Sequence, residues 1–395
     1  MASVGFAPLL AASLGTATPP TFTLDLSLPA RDRWAGALAL VAAEHPWDAS
    51  WGPIFAEHNA SLFDHMAASD FAALGDALDV HYAAHADELR GIADQFGTVF
   101  GQSVSYEYLA AWVYYHELAH TTLMQNAAAY ARECTGIVAQ DAEGRIHHIA
   151  NMDQSPEAVR NVTLSVRFVR NASAAPVLLG VDWYCFTTGV SRVVSPGLAS
   201  VQENWRTTTK RTLADVLADA AAGVVPQILL FRDTLLRQPA PPPSFDALVA
   251  RFRTVRLAAP FYIVAAGART GEGVVIARNL TGVDGSRRLG PSSSSFYLAQ
   301  TNYDAWLPDP AADPRRTVAE RTMRGFGEAV GASELGLMAA ASSFPVHNPH
   351  TAYTAYMRAA TGTLVAFVRD AMCPENAQDV TVDSRYCQPA RVHNE

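Results

Sequence analysis

Lysine is nearly missing from this chain of 395 residues: Lys210 stands alone against 28 arginines. Schiff-base chemistry therefore has a single candidate amine, and nothing around Lys210 in the sequence points to a cofactor site. Basic runs are missing as well, and the net charge is −9, which excludes a nucleic-acid surface. Cysteine is scarce. Cys134, Cys185, Cys373 and Cys387 are too few for a disulfide scaffold, and no CxxC pair is present to hold zinc. The G-x-S-x-G elbow is absent, and "GARTGEG" is followed by a strand rather than a helix, so it is no dinucleotide fingerprint. No internal repeat occurs. Beyond the N-terminus, no apolar run is long and uncharged enough to span a bilayer.

What is present is a chain that is 49% hydrophobic, enough for a large core and one or two domains. Residues 1–20, "MASVGFAPLLAASLGTATPP", are apolar and small with no basic residue ahead of them, and read as a degenerate or partly missing signal segment. Four glycosylation sequons begin at Asn59, Asn161, Asn171 and Asn279. Together these features lead us to expect a protein of the secretory pathway, lysosomal or secreted. In an oxidising compartment Cys373 and Cys387 would close a small loop around a polar C-terminal stretch.

Periodicity divides the chain. "TFTLDL" alternates like a short strand, and from about 30 to 130 apolar residues recur at three and four, as in helices. After Cys134 the pattern changes: "CTGIVAQD", "AEGR" and "IHHIAN" read as strand, tight turn and strand. Further strands are expected in "NVTLSVRFVRN", "APVLLGVDWYCF", "APFYIVAAGARTGEGVVIARN", "SSFYLAQTNYD" and "TAYTAYMRAATGTLVAFVRD", with helices over 211–255 and 316–341. "QPAPPPS" and "GPSSSS" read as loops. A helical N-terminal third followed by an α+β body of antiparallel sheet is the expectation.

Two features compete for the chemistry. His116-Glu-Leu-Ala-His120 fits H-E-x-x-H, which places two imidazoles on one helical face to hold zinc. The extended form of that motif is absent, because "TTLMQNAAAY" follows His120 and offers no third ligand at a usual spacing. An amphipathic helix packed on the body is the ordinary reading of these residues. Cys134, for its part, would ordinarily be a small buried hydrophobe. However, it opens a hairpin directly after a helical segment, and Asp153 closes the second strand. A cysteine that becomes a new N-terminus carries nucleophile and base together, a thiol and its own α-amine.

"CTGIVAQDAEGRIHHIANMD" resembles the start of the β-subunit in acid ceramidase and N-acylethanolamine-hydrolysing acid amidase, N-terminal-nucleophile amidases related to bile-salt hydrolase. "PPTFTLDLSLPARDRW", "SVSYEYLAAWVYYHELAHTT", "SPGLASVQENWR", "YLAQTNYDAW" and "PRRT" follow the family's order over most of the chain. HELAH falls where the family has a Tyr-Glu-Leu without flanking histidines, so the zinc peptidase is the losing alternative.

The resemblance implies an αββα sandwich and a precursor that cuts itself between Glu133 and Cys134. Its products would be a helical α-subunit, 21–133, and a catalytic β-subunit, 134–395, held together without a covalent bridge. It makes Cys134 the nucleophile and Asp153 the partner of the cysteine's thiol or amine. Asn302 in "QTNYD" becomes an oxyanion donor and Arg315 in "PRRT" an active-site arginine. A backbone N–H at Trp205, in Asn204-Trp205-Arg206, becomes the second oxyanion donor. No cofactor or metal is implied. The implied substrate is a lipid N-acyl amide, ceramide-type by the likeness of Cys373-Pro-Glu-Asn to the acid ceramidase ending. N-acylethanolamine hydrolysis and a non-catalytic lipid-binding relative are the alternatives. The apolar N-terminal helices could touch a lipid surface, although core packing is the ordinary use of such residues. One departure stands out: Ala150 replaces the family's arginine three residues before the aspartate, so Ala150→Arg is expected to raise turnover.

Overall fold

The computed structural model describes residues 17–124, 134–182, 192–206, 211–236, 241–290 and 295–370. The chain starts with β1 (Thr21–Asp25) and continues through α1 (Ala37–Ala42), α2 (Trp51–Ser61), α3 (Ala68–His81), α4 (Ala83–Phe100), α5 (Tyr106–Val113) and α6 (Tyr115–Ala119). In α4, Leu89, Ile92 and Phe96 recur at three and four and are wholly buried, and the helix stops at Gly101, whose φ of 67° suits glycine. Ser105 caps α5 by accepting a hydrogen bond from the Tyr108 N–H at 3.1 Å.

The hairpin expected at Cys134 is present as β2 (Cys134–Gln140) and β3 (Ile146–Asp153). After it come β4 (Leu164–Val169), β5 (Leu178–Asp182), β6 (Arg192–Ser195) and β7 (Ala199–Trp205). Three helices follow, α7 (Leu213–Ala221), α8 (Gln227–Leu236) and α9 (Phe245–Thr254). Next are β8 (Phe261–Gly267), β9 (Gly273–Arg278), β10 (Val283–Arg288) and β11 (Tyr297–Gln300). The described part closes with α10 (Arg315–Gly331), α11 (Glu334–Ser342), β12 (Thr351–Arg358) and β13 (Thr363–Val368).

Two sheets result. The larger runs β1-β4-β5-β6-β7-β8-β9-β10 and is antiparallel except where β1 lies parallel to β4. The smaller runs β11-β2-β3-β12-β13 and is antiparallel throughout. Val138 and Ile146 meet Val264 and Val275 between them. On the outer face of the smaller sheet, Ile149 and Tyr356 pack on Met323 of α10 and Leu337 of α11. Val201 and Ile263 of the larger sheet share a core with Leu89, Phe96 and Trp112 of the N-terminal helices. The order of layers is helix, sheet, sheet, helix, the αββα sandwich expected above.

The segment upstream of Cys134 is fastened to the body by buried polar contacts. Glu88 receives both terminal nitrogens of Arg232 at 2.7 and 2.6 Å, with Trp34 Nε1 at 2.9 Å and Arg33 at 3.0 Å. Glu117 of α6 accepts the Gln227 N–H at 2.7 Å. Among the described residues no helix is long and apolar enough to cross a membrane. Glu133, Cys185, Cys373 and Cys387 lie outside the described residues, as does the expected signal segment up to residue 16.

Candidate active site

Sheet register builds the site. β2 and β3 pair Cys134 with Met152, and β3 and β12 pair Asp153 with Thr351. β11 pairs Gln300 with Gly136, so the chain two residues on brings Asn302 opposite Cys134. Neighbouring strand ends thus gather Asn302, Cys134, Asp153 and Thr351 at one edge of the smaller sheet. Arg315, the first residue of α10, enters this cluster from the helical layer.

Arg315 is completely buried and all five of its N–H donors are engaged. Nε and Nη2 form a fork to the two Asp313 oxygens, each at 2.8 Å. Nη2 also reaches Asn302 Oδ1 at 2.7 Å, while Nη1 reaches Asp153 Oδ2 at 3.0 Å and the Cys134 carbonyl oxygen at 3.2 Å. Asn302 Oδ1 accepts the Cys134 N–H at 3.2 Å, and its Nδ2 donates to the Trp205 carbonyl at 3.0 Å. Asp153 Oδ1 accepts from Thr351 Oγ1 at 2.6 Å, and Oδ2 accepts from Asn348 Nδ2 at 2.9 Å. Burial pushes the Asp153 carboxyl up to about 6, against the lowering pull of Arg315, Thr351 and Asn348. The Cys134 thiol is buried with Met152 Sδ at 3.4 Å. Two residues on, Gly136 is required by a close approach: a Cβ there would lie 2.6 Å from Gln202 Oε1.

Cys134, Asp153, Asn302 and Arg315 therefore meet in one buried cluster. Trp205 joins it through its carbonyl, whereas the expected contribution was its N–H. Asp313, Asn348 and Thr351 belong to the cluster and are missed by the sequence reading. The Asp-Pro step before Arg315 is a helix-start signal, but it does not say that the aspartate turns back onto the arginine.

HELAH packs on the body, as the ordinary reading has it, in a helix that is short and buried. α6 is a five-residue helix, and His116 within it and His120 just after it both pack on Trp205. The His120 ring stacks on the indole at 3.9 Å and 8°, and His116 meets it edge-on at 4.7 Å. His116 Nε2 lies 3.3 Å from Glu203 Oε1. Burial holds His120 well below the usual imidazole range, helped by the nearby His116 and Arg211 charges. Among the described residues no three His, Cys, Asp or Glu side chains are arranged to hold a metal ion.

Ala150 is wholly buried between the sheets with Val194 and Met357, backed by Leu179 and Leu364. The space around position 150 is filled with hydrocarbon and offers an arginine no polar partner within this cluster, which argues against the expectation that Ala150→Arg raises turnover. Arg145 does not reach this space, since it is bonded to Asp141 and Glu143 at the hairpin turn. Of the sequons, Asn171 lies on an exposed turn. The nitrogen that would carry a glycan is already bonded at Asn161, to the Ala49 carbonyl, and at Asn279, to Asp284. Asn59 Oδ1 accepts from the Tyr108 hydroxyl at 2.7 Å.

No family model matches the chain. N-acylethanolamine-hydrolyzing acid amidase from Oryctolagus cuniculus is 32% identical over 252 residues, 62% of this chain and 66% of that protein. A solved structure, the Caenorhabditis elegans ortholog of the same amidase, shares 30% identity over 57% of this chain and 93% of its own, with a TM-score of 0.49. The chain belongs to the N-acylethanolamine-hydrolysing acid amidase and acid ceramidase family. The other branch is represented by acid ceramidase from Balaenoptera acutorostrata scammoni, 27% identical over 263 residues, 61% of this chain and 63% of that one. The chain spans just under two thirds of the length of the curated relatives it matches first. The clasp of His116 and His120 on Trp205 and the hydrocarbon around Ala150 both bear on the site.

Proposed function

We propose that this protein is an autoprocessed lipid amidase that hydrolyses N-acyl amides through an N-terminal Cys134. The observation that carries the reading is the Cys134 N–H held by Asn302 Oδ1 at 3.2 Å, inside the cluster organised by Arg315. A nitrogen fixed there becomes, once the Glu133–Cys134 bond is cut, an α-amine beside its own thiol.

The cut begins with attack of the Cys134 sulfur on the Glu133 carbonyl carbon. This moves the acyl group from nitrogen to sulfur, and water then releases Glu133. In the mature protein the α-amine takes the thiol proton, and the thiolate adds to the acyl carbon of the lipid amide. An Asn302 N–H turned from Trp205 toward the new oxyanion would contribute about 3 kcal/mol, in line with single donors elsewhere. The amine then gives its proton to the departing nitrogen, the C–N bond breaks, and a thioester remains. Water deprotonated by the same amine cleaves the thioester and releases the fatty acid. An α-amine ordinarily titrates near ~8, and the Arg315 charge against the Cys134 carbonyl favours its neutral form.

Relatives on both branches support an acyl amide of a lipid. We infer a ceramide-type preference from the C-terminal Cys373-Pro motif, with N-acylethanolamine hydrolysis as the competing specificity and a lysosomal or secreted location. Incubation of purified precursor at acidic pH should yield fragments of 133 and 262 residues, the larger beginning at Cys134. A panel of ceramides and N-acylethanolamines then tests turnover. An active chain that stays uncut would sink the mechanism. A cut chain that turns over no N-acyl amide would leave a lipid-binding protein.

A further inference from the structure

A cavity of about 270 Å³ lies where β8, β9 and β10 of the larger sheet meet β11 of the smaller one and the chain just after it. Tyr262 and Trp306 give it two rings, Val275 and Ala277 give it aliphatic carbon, and Arg287 is the single charged residue in its lining. Trp306 can close over β10 because residue 285 is glycine; a Cβ there would run into the indole. Arg206 stands over both rings, 5.5 Å from the Tyr262 centroid and 5.8 Å from that of Trp306, and fixes them as a pair. The indole is nevertheless half exposed, so apolar surface at the cavity is left uncovered.

Arg287 has no counter-ion among the described residues. Its Nη2 donates to the Ala299 carbonyl at 2.7 Å and to Gln300 Oε1 at 2.9 Å, and both acceptors are neutral. The carboxylates nearby are taken. Asp284 and Asp304 both bind Arg206, and Glu320 binds Arg324 at 3.3 Å. By contrast, the neighbouring Arg288 and Arg316 are paired with Asp246 and Asp309. Burial, joined by the Arg316 charge, holds the Arg287 guanidinium below its usual range, as expected of a cation short of an anion. Its charge and the donors on Nε and Nη1 are left for a ligand.

We propose that this cavity binds a small organic monocarboxylate, with the carboxylate on Arg287 and an apolar body, one ring or a short chain, against Tyr262, Val275 and Trp306. The volume falls just below the roughly 300–1,000 Å³ usual for drug-sized ligands, which favours a small molecule over a long acyl chain. None of Cys134, Asp153, Asn302 and Arg315 lines the cavity, so the site stands whether or not the amidase reading does. Gln300 joins the two places. Its Nε2 donates to the Thr301 and Tyr303 carbonyls at 3.1 and 2.7 Å, on either side of Asn302. A ligand on Arg287 should therefore quiet the backbone around Asn302 as well as β10.

The test is calorimetric titration of the full chain with benzoate, hexanoate, benzyl alcohol and inorganic phosphate, with amide hydrogen exchange on the same samples. Benzoate or hexanoate should bind with a Kd below ~1 mM, and benzyl alcohol and phosphate at least ~10-fold more weakly. The tighter carboxylate distinguishes an aryl from an alkyl body, and either supports the site. Its binding should slow exchange over 283–288 and 297–306. Arg287→Gln should weaken it at least ~10-fold. Trp306→Ala, at a half-exposed position, should weaken it at least ~5-fold with an unchanged melt, and decides the matter if Arg287→Gln melts early. Failure of both carboxylates to bind, equal binding of benzyl alcohol or phosphate, slowing confined to other parts of the chain, or unchanged affinity in either folded variant overturns the site.

Discussion

Arg315 has five donors and five bonds, so no smaller cation can replace it. A lysine has three donors on a point charge and cannot fork onto Asp313 while reaching Asp153 and Asn302. Arg315→Lys should therefore lower stability by roughly 3–5 kcal/mol, the usual cost of leaving buried carboxylates without their partner. The denaturant midpoint measures this, and processing should fail in the same variant. Asp153 gives a pH signature. Burial raises its folded value from 3.8 to about 6, so the uncut chain holds a proton there that the unfolded chain has lost. The stabilisation from that proton is complete below 3.8 and lost as pH rises through about 6. In an uncut Cys134→Ala background, stability should fall across that window. Asp153→Asn should remove most of the fall, which is roughly 3 kcal/mol. Ala150→Arg makes the opposite demand on its surroundings, a guanidinium among Val194, Met357, Leu179 and Leu364. It should melt several degrees earlier with no gain in turnover; higher turnover with an unchanged melt would show that the charge is accommodated.

Strands and helices differ in how legible they were. The Cys134–Asp153 hairpin and the late strands could be read because their apolar residues are grouped between clear turns. β7 could not, since "ASVQENW" is buried along its whole length and its polar residues are satisfied by partners distant in sequence. Gln202, for instance, accepts from His148, and Asn204 Nδ2 donates to the Gln300 carbonyl. β10, "VDGSRR", alternates with a polar set and reads as a loop. The four proposed site residues were legible only through family likeness; Asp313, Asn348 and Thr351 were not, because they bond to other side chains. α6 carries its own prediction. His120 backs Trp205, whose carbonyl holds Asn302, so removing the ring should loosen that amide. His120→Ala should cost about 0.5–1.5 kcal/mol of stacking in addition to the cavity it leaves, and should lower turnover. His120→Phe should recover most of the loss, since a flat ring is what the indole needs. A loss that zinc restores, or that phenylalanine cannot rescue, would refute the stacking role.

At the scale of the molecule, a cut before Cys134 would leave two fragments joined by the apolar core that the N-terminal helices share with the larger sheet, by Glu88 with Arg232 and by the β1 pairing. Burial would raise the Glu88 carboxyl, but Arg232, with His85 and Trp34, pulls it down to about 2. Its stabilisation is present above the ordinary value of 4.5 and is lost only as pH falls through about 2. The processed pair should co-elute on gel filtration at pH 4.5 under reducing conditions. Arg232→Met should weaken the association, at a cost of roughly 3–5 kcal/mol. β1 also bears on how the protein can be produced. Thr21–Asp25 lies against Ser165, Val166, Arg167, Phe168 and Val169 as the outermost strand of the larger sheet, and it comes from the upstream segment. A downstream fragment expressed alone would present the bare edge of β4, an unpaired hydrogen-bonding ladder flanked by apolar side chains and open to any passing strand. Such a fragment should aggregate unless the upstream piece is supplied during folding. Synthesis as one chain, with the proposed cut made only after the sheet has closed, would keep that edge covered from the start.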